Sequence, residues 1–363
     1  MPNHTHTLTA HEYLSDEVWH AERERLFHGG WFLACLGHRL DRGNRTVVDI
    51  AGESVLITRD LDGVLHAFAN VCRHRGARLC DAHSDSGQGS LMCPYHAWTY
   101  ALSGQLIATP HLTDDDVDRS TLPLWAYHLR EWQGLVFVSL AADPPDFDQW
   151  MRTHCSSLLE LERFNLHQLA IADTVSCDVH ANWKIVLENY QECLHCTRVH
   201  PELVDLVPFY RSGWVWDRSR SDGGVTLSRG NTMSAEPLDL PPLPGSRDAD
   251  DGSYFGGMAF PNAFIDVTGP CAVVSVLHPK SQHLTTMTMY FLFHPDTMAM
   301  PGFDASPIVD FNVLVADQDN VVCERVQQGV SSKAFDHGVL SPKDDLVIDL
   351  TEHYRHVMGT STR

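Results

Sequence analysis

The sequence predicts an α+β protein: a small antiparallel β module early in the chain, then a larger domain that mixes helices with an antiparallel sheet. Two observations carry this. From Trp31 to about Leu140 the chain is a succession of short β-branched or aromatic runs, WFLACL, RTVVDI, SVLIT, LHAFANV and LVFVSL, separated by Gly, Asp and Asn turns, the pattern of an all-β module. Beyond residue 149 apolar residues recur at helical intervals, and three more strand-like runs, AFPNAFIDV, CAVVSVLH and TTMTMYFLFH, lie between Ala259 and His294.

The elements follow in order. Ser15 caps a helix predicted from Asp16 to about Phe27, with acids in its first turn and Gly29-Gly30 as its stop. After the β module, AADPPDFD at 141–148 reads as a linker. Helical patterning returns in 149–165 and 182–197, and the acidic, Pro- and Gly-rich stretch 233–252 reads as a surface loop. Helices are expected again near 306–329 and 344–358, and no internal repeat is visible.

Composition narrows the function. The chain has 363 residues, of which 43% are hydrophobic and 20% charged, so it is long enough for two domains and too apolar for disorder. Against 47 Asp+Glu stand 26 Lys+Arg, a net charge of −21, which repels a phosphate backbone and argues against nucleic acid. No stretch is apolar enough to span a bilayer and the start lacks a signal-peptide pattern, so a cytoplasmic protein without a membrane partner is expected. Ten cysteines are too scattered for a disulfide scaffold, and several stand close to some of the 23 histidines. Metal ligation is the better expectation for those.

The first such cluster is Cys72, His74, Cys93 and His96: C-x-H, then 18 residues, then C-x-x-H. Thiolates and imidazoles together suit zinc or an iron-sulfur centre. Zinc sites of two Cys and two His usually keep the two Cys in one hairpin and the two His in one helix, whereas here each loop offers one of each. That interleaving matches a [2Fe-2S] cluster with both Cys on one iron and both His on the other. Cys80 and His83 are expected to be structural, and Cys35, Cys155, Cys177, Cys271 and Cys323 to behave as small hydrophobes.

The second cluster lies in NWKIVLENYQECLHCTRVHPEL, which places Glu188, Glu192 and His195 on one face of a helix and His200 five residues later. Five residues turn a helix by about 500°, so the helix must bulge or end between His195 and His200 if both bind one metal. Pro201 would stop it there. Two His with one carboxylate form the facial triad that holds Fe(II) and leaves positions open. Cys193 and Cys196 are read as packing residues.

With both clusters, the chain resembles the α subunits of Rieske non-haem iron oxygenases. HRG after the first cysteine and CPYH…W match the cluster loops, and Asn182, Trp183, Lys184, Glu188, Asn189, Glu192, His195 and His200 match the catalytic motif. In ADQDNVVCERVQQGVSS the position matching the family's carboxylate ligand is Asp319, with Asp317 as fallback. The resemblance implies a helix-grip catalytic domain with a central antiparallel sheet, and three segments: 1–37 packing on the catalytic domain, a Rieske domain over 38–148, and the catalytic domain over 149–363. It also implies a homotrimer in which Glu192 bridges His195 to His96 of the neighbouring subunit. Glu at the bridge resembles the branch that oxidises glycine betaine, carnitine and related quaternary amines, although Leu194 stands where that branch has Tyr. No nicotinamide or flavin motif is visible, so electrons from NAD(P)H are expected through a separate flavin/iron-sulfur reductase, with or without a ferredoxin. The expected activity is O2-dependent hydroxylation or demethylation of a small organic substrate, or ring hydroxylation. A quaternary ammonium would want an aromatic cage, and Phe209, Tyr210, Trp214 and Trp216 follow the metal helix.

Overall fold

Nine strands succeed one another in the first half of the chain: β1 (Phe32–Leu36), β2 (Asn44–Ile50), β3 (Glu53–Arg59), β4 (Leu65–Ala69), β5 (Ser90–Met92), β6 (Thr99–Ala101), β7 (Leu106–Ala108), β8 (Ala126–Trp132) and β9 (Leu135–Ser139). The structure is a computed structural model that describes residues 5–81, 89–220 and 223–360. Six of these strands form an antiparallel sheet in the order β1-β9-β8-β4-β3-β2, and β5-β6-β7 form a second, smaller one. β1 and β9 are buried at all five positions, as their unbroken apolar runs require. A core of Leu56, Phe68, Leu91, Trp98 and Tyr100 includes both Cys72 and Cys93. Phe27–Phe147 form one compact unit.

The other unit consists of Met1–Leu26 with Asp148–Arg363. The expected segment 1–37 is therefore divided: its helices belong here, but its strand belongs to the β unit, because β1 finds its backbone partners on β9. α1 (Ala10–Leu14) is capped reciprocally by Thr9 and Glu12, and α2 (Asp16–Glu22) by Ser15, whose side chain accepts from Glu17 N; a π turn then runs to Phe27. Where one helix is expected over 149–165 there are α3 (Phe147–His154) and α4 (Ser156–Leu159), then 3-10 turns reversing at Asn165, φ 50°.

The sheet of this unit runs in the order β10-β15-β14-β13-β12-β11. Its strands are β10 (Ala170–Val179), β11 (Val225–Thr226), β12 (Ser253–Ala259), β13 (Ala263–Thr268), β14 (Cys271–Ser281) and β15 (Leu284–Phe293). The last three are the apolar runs legible in the sequence. β10 was hidden by its half-exposed, polar face, and β12 by its two glycines. Helices α5 (Trp183–Tyr190), α6 (Cys196–Val199), α7 (Pro201–Leu206), α8 (Pro295–Met298), α9 (Ser306–Val330) and α10 (Asp345–Met358) complete it, with α9 packed on α5 and β10. No helix among the described residues is long and apolar enough to cross a membrane.

α5 is held by buried polar contacts. Glu22 and Lys184, 1% and 3% exposed, form an ion pair; Glu22 also accepts from Trp183 Nε1 at 3.1 Å and Tyr354 hydroxyl at 2.6 Å. Asn182 caps the helix by accepting from Lys184 N at 2.9 Å, and its own N–H donates to Gln327 of α9 at 2.9 Å. Glu188 accepts the Tyr13 hydroxyl through both oxygens at 2.9 and 2.7 Å. Burial pushes its carboxyl up to about 7 against the opposing effects of Tyr13 and Lys184.

A carboxyl whose pKa is higher folded than unfolded binds more protons in the folded state. Its contribution is therefore full below the unfolded value and is lost as pH rises towards about 7. Glu188→Gln keeps an acceptor for Tyr13 and removes the charge. Its melting temperature should gain on that of the parent as pH is raised from roughly 5 to 7; a difference independent of pH in thermal melts would contradict this.

Candidate active site: two metal-ligating constellations

The two cluster loops fold alike. Cys72 follows β4, and Cys93 follows β5. In each, the residue four places after the cysteine, Gly76 or Ala97, has a positive φ (72° and 55°) and returns its N–H to the cysteine carbonyl at 3.0 Å. The turns bury the two sulfurs and leave His74 exposed and His96 half-buried. The His rings lie 4.7 Å apart, His74 stacks on Trp98 at 4.8 Å, and Cys72 Sγ meets the Tyr100 hydroxyl at 3.3 Å. Among the described residues His96 Nδ1 is buried without a hydrogen-bond partner, a nitrogen left for something those residues do not supply. Cys80 packs in the same core, and His83 lies outside the described residues.

In the second constellation the backbone departs from expectation. α5 has ended by Gln191, so Glu188, Glu192 and His195 do not share a helical face. Glu192 lies in the following turn and His195 caps α6; His200 closes α6 and precedes α7, so the helix stops ahead of Pro201 as expected and Pro201 then opens the next one in its first turn. Cys193 and Cys196, read as packing residues, form a disulfide across this turn, Cα atoms 5.0 Å apart.

The turn and α9 bring His195, His200 and Asp319 together, with one ligand atom from each within 4.8 Å of the others. Asp319 Oδ1 lies 3.2 Å from His195 Nε2 and 2.8 Å from His200 Nε2. Each outer nitrogen is held from behind: His195 Nδ1 by Glu192 Oε1 at 2.5 Å, His200 Nδ1 by Gln318 Oε1 at 2.7 Å. Both acceptors select the Nδ1–H tautomer and aim Nε2 inward. The other Glu192 oxygen accepts from Leu194 N. Asp317, two residues away on α9, is not in the group; a two-residue step rotates a side chain by about 200°.

Charge in this site favours a cation. Burial opposes ionisation of Asp319, but the two imidazoles hold its carboxyl below the ordinary range. Burial likewise opposes protonation of His195, but Asp319 and Glu192 raise it to about 9. Two imidazoles and a carboxylate are also the donor set that suits Fe(II).

The triad opens on a cavity of about 830 Å³. On α9, Asn312, Val315, Ala316, Asp319, Asn320 and Cys323 line it at helical intervals, a stripe readable in the sequence. Of the aromatics expected there, Tyr210 and Trp216 line the cavity and Phe209 and Trp214 do not; Tyr190, Tyr254, Phe255 and Phe264, with Asp266, were not anticipated. Nothing in the local sequence marks these or Gln318.

Residues 166–360 match the family described as ring hydroxylating alpha subunit (catalytic domain), and residues 30–126 the Rieske [2Fe-2S] domain. The chain belongs to this family and is a Rieske non-haem iron oxygenase, with a [2Fe-2S] domain and a catalytic domain of the mononuclear-iron kind. The glycine betaine monooxygenase oxygenase subunit of Pseudomonas aeruginosa (strain UCBPP-PA14) is 28% identical over 98% of this chain and 90% of that protein. The carnitine monooxygenase oxygenase subunit of Escherichia coli (strain K12) is 27% identical over 92% of this chain and 87% of that protein. A solved quaternary ammonium Rieske monooxygenase shares the fold with a TM-score of 0.81 at 22% identity, covering 99% of this chain and 97% of that one. Naphthalene 1,2-dioxygenase from Rhodococcus sp. does so at 0.77 and 17% identity, covering 98% and 95%.

Gln318→Leu leaves the His200 Nδ1–H without its acceptor. It should weaken retention of the mononuclear iron by roughly 10- to 100-fold while leaving acid-labile sulfide unchanged, as read by metal and sulfide assay after chelator dialysis. Iron retention equal to the parent's would remove Gln318 from the site.

Proposed function

We propose that this oxygenase oxidises a methylated ammonium compound at a carbon bonded to nitrogen. The ligands are Cys72 and Cys93 with His74 and His96 for the cluster, and His195, His200 and Asp319 for Fe(II). The observation that carries the reading is the three-donor group of His195, His200 and Asp319 at the wall of an aromatic-lined cavity. The named activities of the glycine betaine and carnitine relatives support the ammonium substrate.

When bound, the cluster supplies electrons singly and the Fe(II) activates O2. Glu192 and Gln318 keep both imidazoles turned inward, and Asp319 balances part of the metal's charge. Substrate, O2, two electrons and two protons give hydroxylated product and water; at an N-methyl carbon the hydroxymethyl product releases formaldehyde. The electrons come from NAD(P)H through a separate flavin/iron-sulfur reductase, with or without a ferredoxin. Both relatives are named as the oxygenase subunit of their enzymes, which supports such a partner. The assembly we infer is a homotrimer with Glu192 as the bridge to His96 of the next copy. A solved relative described for inter-subunit electron transfer supports that arrangement.

The test is oxygen uptake by the reconstituted enzyme with a surrogate reductase. Methylated ammonium compounds should stimulate uptake and release formaldehyde, whereas stimulation by aromatic hydrocarbons alone, with diol products, would assign ring dioxygenation instead. Glu192→Gln should keep iron and sulfide contents but slow single-turnover product formation by roughly 10-fold or more. Product formed at the parent's rate from a pre-reduced cluster would remove the bridge.

A further inference from the structure

Asp266 is a carboxylate in the cavity wall for which the described residues supply hydrogen bonds but no counter-charge. It stands two residues after Phe264 on β13, so both side chains line the cavity while Ile265 and Val267 are buried on the opposite face. Its Oδ1 accepts the Tyr190 hydroxyl at 2.6 Å and the Tyr254 hydroxyl at 2.5 Å. Phe264 stacks on Tyr190 with centroids 3.9 Å apart, and Tyr210 lies beside Tyr254. Among the described residues no Lys, Arg or His pairs with Asp266, and none donates to Oδ2. Gly256 faces Asp266 in the β12–β13 register, and a Cβ there would stand 2.9 Å from the Tyr190 hydroxyl and 3.6 Å from Oδ1. The strand carries no side chain where the cluster needs room.

A carboxylate removed from bulk water without a cation is costly. Burial pushes Asp266 up to about 6, and the two phenol donors, Tyr190 and Tyr254, oppose this by favouring the ionised carboxylate. Both phenols converge on Oδ1, and Oδ2 takes no hydrogen bond from the described residues. Aromatic faces alone suffice for a quaternary ammonium, which has no N–H. A carboxylate among them adds a charge-assisted hydrogen bond that only an N–H can use.

Resting on the reading that the cavity takes a methylated ammonium compound, we propose that Asp266, set by Tyr190 and Tyr254, is the ammonium subsite. It selects a protonated methylamine over its quaternary analogue, with Oδ2 accepting the substrate N–H. Tyr190 and Tyr254 act as positioning residues.

The test is calorimetric titration of the anaerobic holoenzyme with trimethylammonium, tetramethylammonium and the neutral tert-butyl alcohol 3,3-dimethylbutan-1-ol, whose C(CH3)3 group has the shape of a trimethylammonium group. The parent should bind trimethylammonium roughly 10-fold or more tighter than tetramethylammonium. Asp266→Asn, nearly isosteric, should bring that ratio to about one, and Tyr254→Phe should lower it part of the way. Equal or tighter binding of tetramethylammonium by the parent, or an unchanged ratio in Asp266→Asn, overturns the subsite while leaving the oxidation of ammonium compounds standing. If the neutral alcohol binds and neither ion does, the ammonium reading of the cavity falls and the subsite with it.

Discussion

The buried ion pair between Glu22 and Lys184 is the constraint on which the catalytic unit depends. Breaking such a pair by removing one partner leaves a charge in a medium that cannot solvate it, a loss on the order of 3–5 kcal/mol. Here the carboxylate is also shared with Trp183 and Tyr354, so α2, α5 and α10 converge on one group. With Asn182 tied to Gln327 of α9, the start of α5 is fixed against both the N-terminal segment and the helix that carries Asp319. The turn that delivers Glu192 and His195 leaves the far end of this anchored helix. The spacing of the triad is therefore set by a turn that leaves one anchored helix and by Asp319 on another, with His195 and His200 at the caps of short helices.

Both histidines proposed as iron ligands are oriented by a neighbour that spends its own polarity on the task. Glu192 and Gln318 hold the outer nitrogens of His195 and His200, so the inner nitrogens face Asp319. In the β unit the same effect comes from backbone turns: Gly76 and Ala97 close two equivalent loops that bury sulfur and leave imidazole towards solvent. The side chains thus meet different surroundings, with both sulfurs in an apolar core, the His74 ring exposed and the His96 ring half-buried.

The cavity shows how a sheet makes a chemically mixed wall. Alternation on β13 sends Ile265 and Val267 into the core and Phe264 and Asp266 into the cavity. A carboxylate there is tolerated because hydroxyls from two other elements reach it, Tyr190 from α5 and Tyr254 from β12. None of the three is informative alone: a lone Asp in an apolar strand and two scattered tyrosines carry no spacing signal.

By itself the sequence determined the α+β class, the strands β1 to β4, β9 and β13 to β15, and the helices α2, α9 and α10, and it singled out the residues proposed for both ligand sets. Each rests on short-range pattern: unbroken apolar runs, helical period, or Cys and His within a few residues of each other. Asp319, far along the chain, was reached through the family motif around it. Only the tertiary structure decided that β1 belongs to the β unit, that α5 ends before Glu192, that Pro201 begins a helix, and that Cys193 and Cys196 are bonded. It alone assembled Gln318 behind His200 and two tyrosines on Asp266. These are contacts between residues distant in sequence, or turns whose backbone is dictated by what packs against them, and local periodicity holds no record of either.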